Sequence, residues 1–263
     1  MKVSEKLAVT ASYGTAPHRR QLQKPNEDRL LCDPDNGIFI VLDGVTRVHA
    51  EYIENPYESA AADVAEQFLG AVYEEILQRL HEPEPEALLR AAIHTANNKL
   101  ATYRAQKNEA QWGFYPSAAG VITLLRDNTL YYAAAGDCIG VLLRGSGKQL
   151  FGCQWQLEAV DTLQLTKQER YSRYCNHPDH PLSYTVFNGD AFVGDTVIYS
   201  WLDLHRGDTV LLATDGLSDH LKYEEIAKLR SQTPAEMLDA SACYDHPPFG
   251  TYADDKTVIK LSF

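Results

Sequence analysis

Four short acid-bearing motifs carry the chemistry this sequence could perform: Asn26-Glu27-Asp28, Asp43-Gly44, Gly136-Asp137, and Asp215-Gly216 with Asp219. A fifth, Asp254-Asp255, stands just before the last apolar run. An acid beside a glycine is ordinarily turn chemistry, because Asp bonds its own backbone and Gly tolerates positive φ. Here each motif borders an apolar, strand-like segment, most clearly where Val210 to Ala213 runs on into Asp215-Gly216. A carboxylate fixed at the end of a buried strand is costly unless a cation lies beside it. Acids at the same ends of neighbouring strands would converge and repel one another unless cations neutralise them. Hard oxygen ligands without a His or Cys cluster select Mg2+ or Mn2+ over zinc. The expected chemistry is metal-dependent hydrolysis.

Other chemistries find less support. His177 and His180 form a His-x-x-His within a loop that also holds Pro178 and Pro181, without the helical spacing of a zinc site. That loop is expected to pack at the edge of the active site. The five cysteines are scattered, odd in number and never Cys-x-x-Cys, which fits reduced thiols in a cytoplasmic protein. Cys138, directly after Asp137, reads as a packed thiol. A formal charge of −12 argues against nucleic acid or an anionic membrane as partner. No apolar run approaches the roughly 20 residues that span a bilayer. The first residues carry Glu5 and Lys6 where a signal peptide would be apolar. Nothing demands more than a monomer.

The elements that must position the acids follow from periodicity. With 263 residues, 44% of them hydrophobic, and no low-complexity linker, the chain is expected to form one domain, 1–263. Strands are expected at 7–13, 29–32 and 38–42, opening the chain as a β-meander. Val64, Phe68, Val72, Ile76 and Leu80 form an i, i+4 stripe that predicts a helix over 57–80, followed by a second over about 86–105. Strands at 120–125, 130–135 and 139–143 describe an antiparallel meander. Residues 152–192 resist assignment and suit a flap or insertion. Strands at 197–204 and 209–213, helices at 223–230 and 234–240, and a strand at 256–263 complete the chain. This order points to two antiparallel sheets with helices outside.

Taken together, the ordered motifs Asn26–Arg29 (NEDR), Val41–Val45 (VLDGV), Ala134–Asp137 (AAGD), Gly207–Asp219 (GDTVLLATDGLSD) and Asp254–Ile259 (DDKTVI) resemble those of the metal-dependent protein serine/threonine phosphatases, the PPM or type 2C family. The resemblance spans nearly the whole chain, and the 207–219 block is its most specific part. It implies an α+β fold, a four-layer α-β-β-α sandwich of two antiparallel sheets. It implies hydrolysis of phosphoserine or phosphothreonine in a protein substrate, by a hydroxide bridging two Mn2+ or Mg2+ ions. Asp43 would bridge the ions, with the Gly44 carbonyl helping to hold one, and Asp215 and Asp254 would ligate the first. Glu27 and Asp28 would hold the other side, directly or through water. Asp137 and Asp219, with Asp215, match the positions of a third, weaker ion.

The sequence departs from that pattern in three places. An arginine that grips the substrate phosphate is replaced by Gln23, whose amide cannot supply a bidentate, charge-assisted contact. Arg47, Lys24, Arg19 and Arg20 are the candidate substitutes. Val45 follows Asp43-Gly44, without the histidine of some members, leaving His49 or solvent to protonate the leaving group. Asp255 stands where many members have Asn, and Asp254 is taken as the metal-facing acid. Two alternatives therefore stand beside a protein phosphatase: a small-metabolite phosphatase, and a regulatory binding module without turnover. Gln23 favours the latter; the complete acid set argues against it.

Overall fold

A computed structural model of the chain describes residues 7–17, 25–45, 59–107, 116–191, 193–244 and 254–263. Two five-stranded antiparallel sheets pack face to face. In spatial order the first holds β2 (Arg29–Asp33), β3 (Ile38–Val45), β4 (Ser117–Arg126), β5 (Thr129–Ala135) and β8 (Ile198–Asp203). The second holds β1 (Thr10–Ala16), β10 (Lys256–Ser262), β9 (Thr209–Ala213), β6 (Ile139–Arg144) and β7 (Gly147–Phe151).

The continuous apolar runs are explained by burial on both faces. Along β3, Phe39 and Val41 pack between the sheets, while Ile38, Ile40 and Leu42 face the helices. Along β9, Val210 and Leu212 enter the inter-sheet core, whereas Leu211 and Ala213 lie under the opposite helical layer. Over the first sheet lie α1 (Ala60–Gln78) and α2 (Pro85–Lys107). The expected stripe of α1 is buried from Val64 to Ile76, with Leu80 partly buried beyond the helix end. Ser59 caps the helix by accepting from the Ala62 backbone N–H at 3.2 Å.

The chain between residues 152 and 192 contains α3 (Trp155–Asp161) and α4 (Lys167–Tyr174) and has its own apolar cluster of Val160, Cys175, Tyr184 and Val186. A short α5 (Val193–Thr196) follows. Over the second sheet lie α6 (Ser218–Tyr223), α7 (Ile226–Ser231) and α8 (Pro234–Ala240). No helix among the described residues is long and apolar enough to cross a membrane.

Several local expectations are corrected. The first strand is shifted to Thr10–Ala16, because its partner β10 sets the register, Thr10 opposite Ser262. It belongs to the second sheet, so the chain does not open as a meander. Nor is 118–151 one meander: β4 and β5 stay in the first sheet, but β6 pairs with β7 and β9 in the second. The expected helix at 223–230 breaks at Glu224, which is extended. Lys148 accounts for the break. Its Nζ donates to the carbonyls of Leu221 (2.8 Å), Lys222 (3.1 Å) and Glu224 (2.7 Å), capturing acceptors at the end of α6.

Candidate metal centre

The acids stand at matching strand ends. In the second sheet β9 runs between β10 and β6, antiparallel to both, with Ala213 opposite Val258 on one side and Ile139 on the other. The C-terminal end of β9 therefore lies beside the starts of its neighbours. Asp215 follows β9, Asp137 precedes β6, and Asp254 precedes β10. From the first sheet come Asp28, just before β2, and Asp43, near the end of β3 and opposite Ala119. Asp137 reaches the same point because Gly136, at φ +78°, turns the chain from one sheet to the other. A Cβ at Gly136 would lie 2.4 Å from the Ala119 Cβ, so the turn admits only glycine.

Asp43, Asp137 and Asp215 each offer a carboxylate oxygen, and these oxygens all lie within 4.8 Å of one another. Burial and mutual repulsion dominate the electrostatics of Asp43 and Asp215. The Asp43 carboxyl is pushed well above its usual range, first by burial and then by Asp215, Asp28, Asp254 and Asp137. Asp215 rises for the same reasons, with Asp137 the largest charge acting on it. Asp28 is pushed up to about 7 by burial and by Asp255, against hydrogen bonds from Thr214 and Thr257. Asp28 Oδ1 and Asp215 Oδ1 are buried with no hydrogen-bond partner among the described residues. Enclosed, unsatisfied carboxylate oxygens beside a cluster of acids are the donor set a hard divalent cation requires. The residues fit such an ion.

A surrounding shell fixes these acids. Thr214 Oγ1 donates to Asp28 Oδ2 at 2.8 Å and accepts from the Thr257 backbone N–H at 2.9 Å. Asp255 is buried, and its Oδ2 accepts from the Glu27 N–H at 2.9 Å. Asp254 is half-buried and acts by charge on Asp28, Asp43 and Asp215. Glu27 is fully buried, and its carboxylate accepts a hydrogen bond from Ser59 at the start of α1, where the helix dipole favours an anion. Gly44 packs against that corner: a Cβ would lie 2.9 Å from both the Glu27 Cβ and carbonyl oxygen.

Gly216 is tighter, with a Cβ placed 2.2 Å from the Asp255 carbonyl oxygen. A backbone oxygen cannot swing aside, so Gly216→Ala must separate the Asp215 turn from Asp254-Asp255. The expected loss is about 1–3 kcal/mol in denaturant unfolding, together with weaker Mn2+ binding. A variant equal to wild type in both would show that the turn has slack.

The structure brings Asp43, Asp137 and Asp215 together, with Asp28 and Asp254 coupled to them by charge. Asp219, on α6, stands outside the group of three; its charge acts on Lys222 and Tyr244. Gln23, Lys24 and Arg47 lie outside the described residues, as do Arg19, Arg20 and His49. Cys138 is buried in the inter-sheet core, and burial pushes its thiol well up, which keeps it uncharged. His180 packs edge-on against Tyr174, and a His177 ring nitrogen meets the Ser172 carbonyl at 3.0 Å. The sequence reading missed Ser59 and Thr214. A serine directly before a helical stripe, three residues ahead of Ala62, was a visible cap signal; Thr214 carried none.

No family model matches the chain. A curated relative, the protein phosphatase PTC7 homolog fig of Drosophila virilis, is 33% identical over 132 residues, 48% of this chain. The matched region is 38% of the length of that relative. The solved serine/threonine phosphatase PstP/Ppp of Mycobacterium tuberculosis superposes with a TM-score of 0.67 at 20% identity, covering 98% of this chain and 99% of that one. A solved catalytic domain of PstP in complex with two manganese ions gives a TM-score of 0.67 at 20% identity, covering 97% of each chain. The chain has the fold of these serine/threonine phosphatases.

Proposed function

We propose that the chain is a metal-dependent phosphoprotein phosphatase that hydrolyses phosphoserine or phosphothreonine. The observation that carries this reading is the convergence of Asp43, Asp137 and Asp215 within 4.8 Å, with orphaned buried oxygens on Asp28 and Asp215. The shared fold and the manganese-bound neighbour support it.

Asp43, Asp215 and Asp254 would hold two Mn2+ or Mg2+ ions, with Asp28, Glu27 and the Gly44 carbonyl on the other flank. When bound, such ions activate water as the nucleophile at neutral pH and neutralise charge on the phosphoryl oxygens. The residues of the chain have a different task. They fix carboxylates before substrate arrives, so that little reorganisation accompanies the reaction. Thr214 fixes Asp28, Ser59 fixes Glu27, and Asp255 ties the Glu27 backbone to the start of β10. Asp254, whose charge acts on Asp43 and Asp215, is taken as the ligand, while Asp255 acts most strongly on Asp28. Asp137 and Asp219 are assigned to a third, weaker site. Arg47, Lys24 and Gln23 remain the residues assigned to the substrate phosphate. The free cysteines among the described residues suit a reducing, cytoplasmic setting.

The test is phosphate release from a phosphothreonine peptide and from p-nitrophenyl phosphate, with Mn2+, Mg2+ or EDTA. Release is expected with either ion and is expected to stop in EDTA. A folded protein that binds Mn2+ yet releases nothing from either compound would overturn the enzymatic reading and leave a regulatory binding module. Release from small phosphates alone would move the substrate to a metabolite.

A further inference from the structure

Gln154 is a buried polar side chain, 3% exposed, that the metal site as described does not use. It stands just before α3, at the start of the 152–192 segment, yet its amide does not cap that helix. Its Oε1 accepts from two backbone N–H groups, Gly136 at 3.1 Å and Thr185 at 2.7 Å. Its Nε2 lies 3.1 Å from Thr185 Oγ1 and 3.2 Å from the Thr196 carbonyl. Its backbone N–H donates to the Gly136 carbonyl at 3.0 Å. One residue therefore holds Gly136 by both its N–H and its C=O.

Gly136 is the residue whose left-handed turn swings Asp137 from one sheet to the other. With both polar groups of Gly136 held by Gln154, and no room for a side chain between it and Ala119, the direction of the following residue is set. The other end of the amide is anchored as firmly. Thr185 is fully buried and donates to the Thr196 carbonyl at 2.8 Å. Two residues on, Phe187 exchanges both backbone hydrogen bonds with Ala118, at 2.9 and 2.7 Å, and stacks on Phe68 of α1 with ring centroids 4.1 Å apart. Ala118 is itself the register partner of Gly44.

We infer that Gln154 is a positioning residue for Asp137, and that through it the 152–192 segment acts as a support for the metal centre rather than a separate appendage. The inference rests on the metal reading above. It concerns how Asp137 is aimed, not whether the acids bind metal. A residue that orients a ligand typically changes metal affinity by about 10–100-fold when removed.

The test is calorimetric titration of Mn2+ into wild type, Gln154→Met, Asp137→Ala and the double variant, each checked for folding by circular dichroism. Methionine keeps the length of the side chain and removes its hydrogen bonds. Gln154→Met is expected to weaken Mn2+ binding at least about 10-fold at the site that Asp137→Ala also weakens, and to add nothing further in the Asp137→Ala background. Equal Mn2+ affinity in Gln154→Met and wild type, or full additivity with Asp137→Ala, would overturn the inference even if the melting temperature fell. If Gln154→Met fails to fold, Thr185→Val decides. It removes the contact of the amide nitrogen with Thr185 Oγ1 but leaves those with the Thr196 carbonyl, the Thr185 N–H and Gly136, and about a 3-fold weakening is expected where unchanged binding would refute. Wild type that binds no Mn2+ would instead refute the metal reading.

Discussion

Asp43→Ala is expected to lower kcat for a phosphothreonine peptide by at least about 1,000-fold, equivalent to roughly 4 kcal/mol of transition-state stabilisation. The side chain lies between the two sheets' contributions to the site. It shares the 4.8 Å group with Asp137 and Asp215 and feels the charges of Asp28 and Asp254 as well. Removing it takes away a central carboxylate and opens the geometry that would hold two ions. The fold should survive. Asp43 is half-buried, and its neighbours Ile40, Val41 and Leu42 supply the core of β3. Relief of repulsion among the remaining acids should even stabilise the metal-free protein. Single-turnover kinetics with a melting curve separates the two effects. A variant as active as wild type would end the two-ion mechanism; one that is inactive and unfolded would leave the loss unassigned to chemistry, and Asp43→Asn, which keeps the shape, would then serve.

The second large effect is the pH dependence of the metal-free protein. Asp28, Asp43 and Asp215 have folded-state pKa values raised above the ordinary 3.8, Asp28 to about 7. Between those limits the folded state holds more protons than the unfolded chain. Stability contributed by these groups is therefore fully present below the unfolded value and is lost as pH rises through each raised folded value, which for Asp28 is about 7. In EDTA the protein should be more heat-stable near pH 5 than near pH 7.5. Mn2+ added at pH 7.5 should restore stability, by about 2.7 kcal/mol at a concentration 100 times its Kd. Asp28→Asn should flatten the slope and raise the melting temperature in EDTA at pH 7.5. An EDTA-treated wild type that grows steadily more stable from pH 5 to 7.5 would contradict this account of the site.

Where local pattern and final structure are the same thing, the sequence was readable. The β3 and β9 runs, the α1 stripe and the acids bordering the strands could be named from periodicity and turn chemistry. What could not be named was which sheet a short apolar strand joins. Residues 130–135 and 139–143 look like successive members of one hairpin. The switch between them depends on Gly136 taking positive φ and on Ala119 leaving no room for a side chain, both tertiary facts. The helices at 155–161 and 167–174 were missed for another reason. They have seven and eight residues, too short for an apolar stripe to repeat. The second still carried a usable signal, the Thr166–Glu169 capping box. At the site, carboxylates advertise themselves by type. Thr214 and Gln154 do not, because an ordinary polar residue becomes important only through what the fold places beside it.

The origin of the acids in two different sheets has a mechanical consequence. Asp28 and Asp43 belong to one layer, while Asp137, Asp215 and Asp254 belong to the other or to its entrance. Elsewhere the layers meet through apolar side chains such as Phe39, Val41, Leu142 and Leu212, which resist separation but tolerate sliding. A divalent ion held by both layers would act as a rivet through one end of the sandwich. It would pin the strands against shear there and leave the far end free to breathe. Loading the site would then stiffen the protein asymmetrically, and the reaction would take place at its most rigid corner.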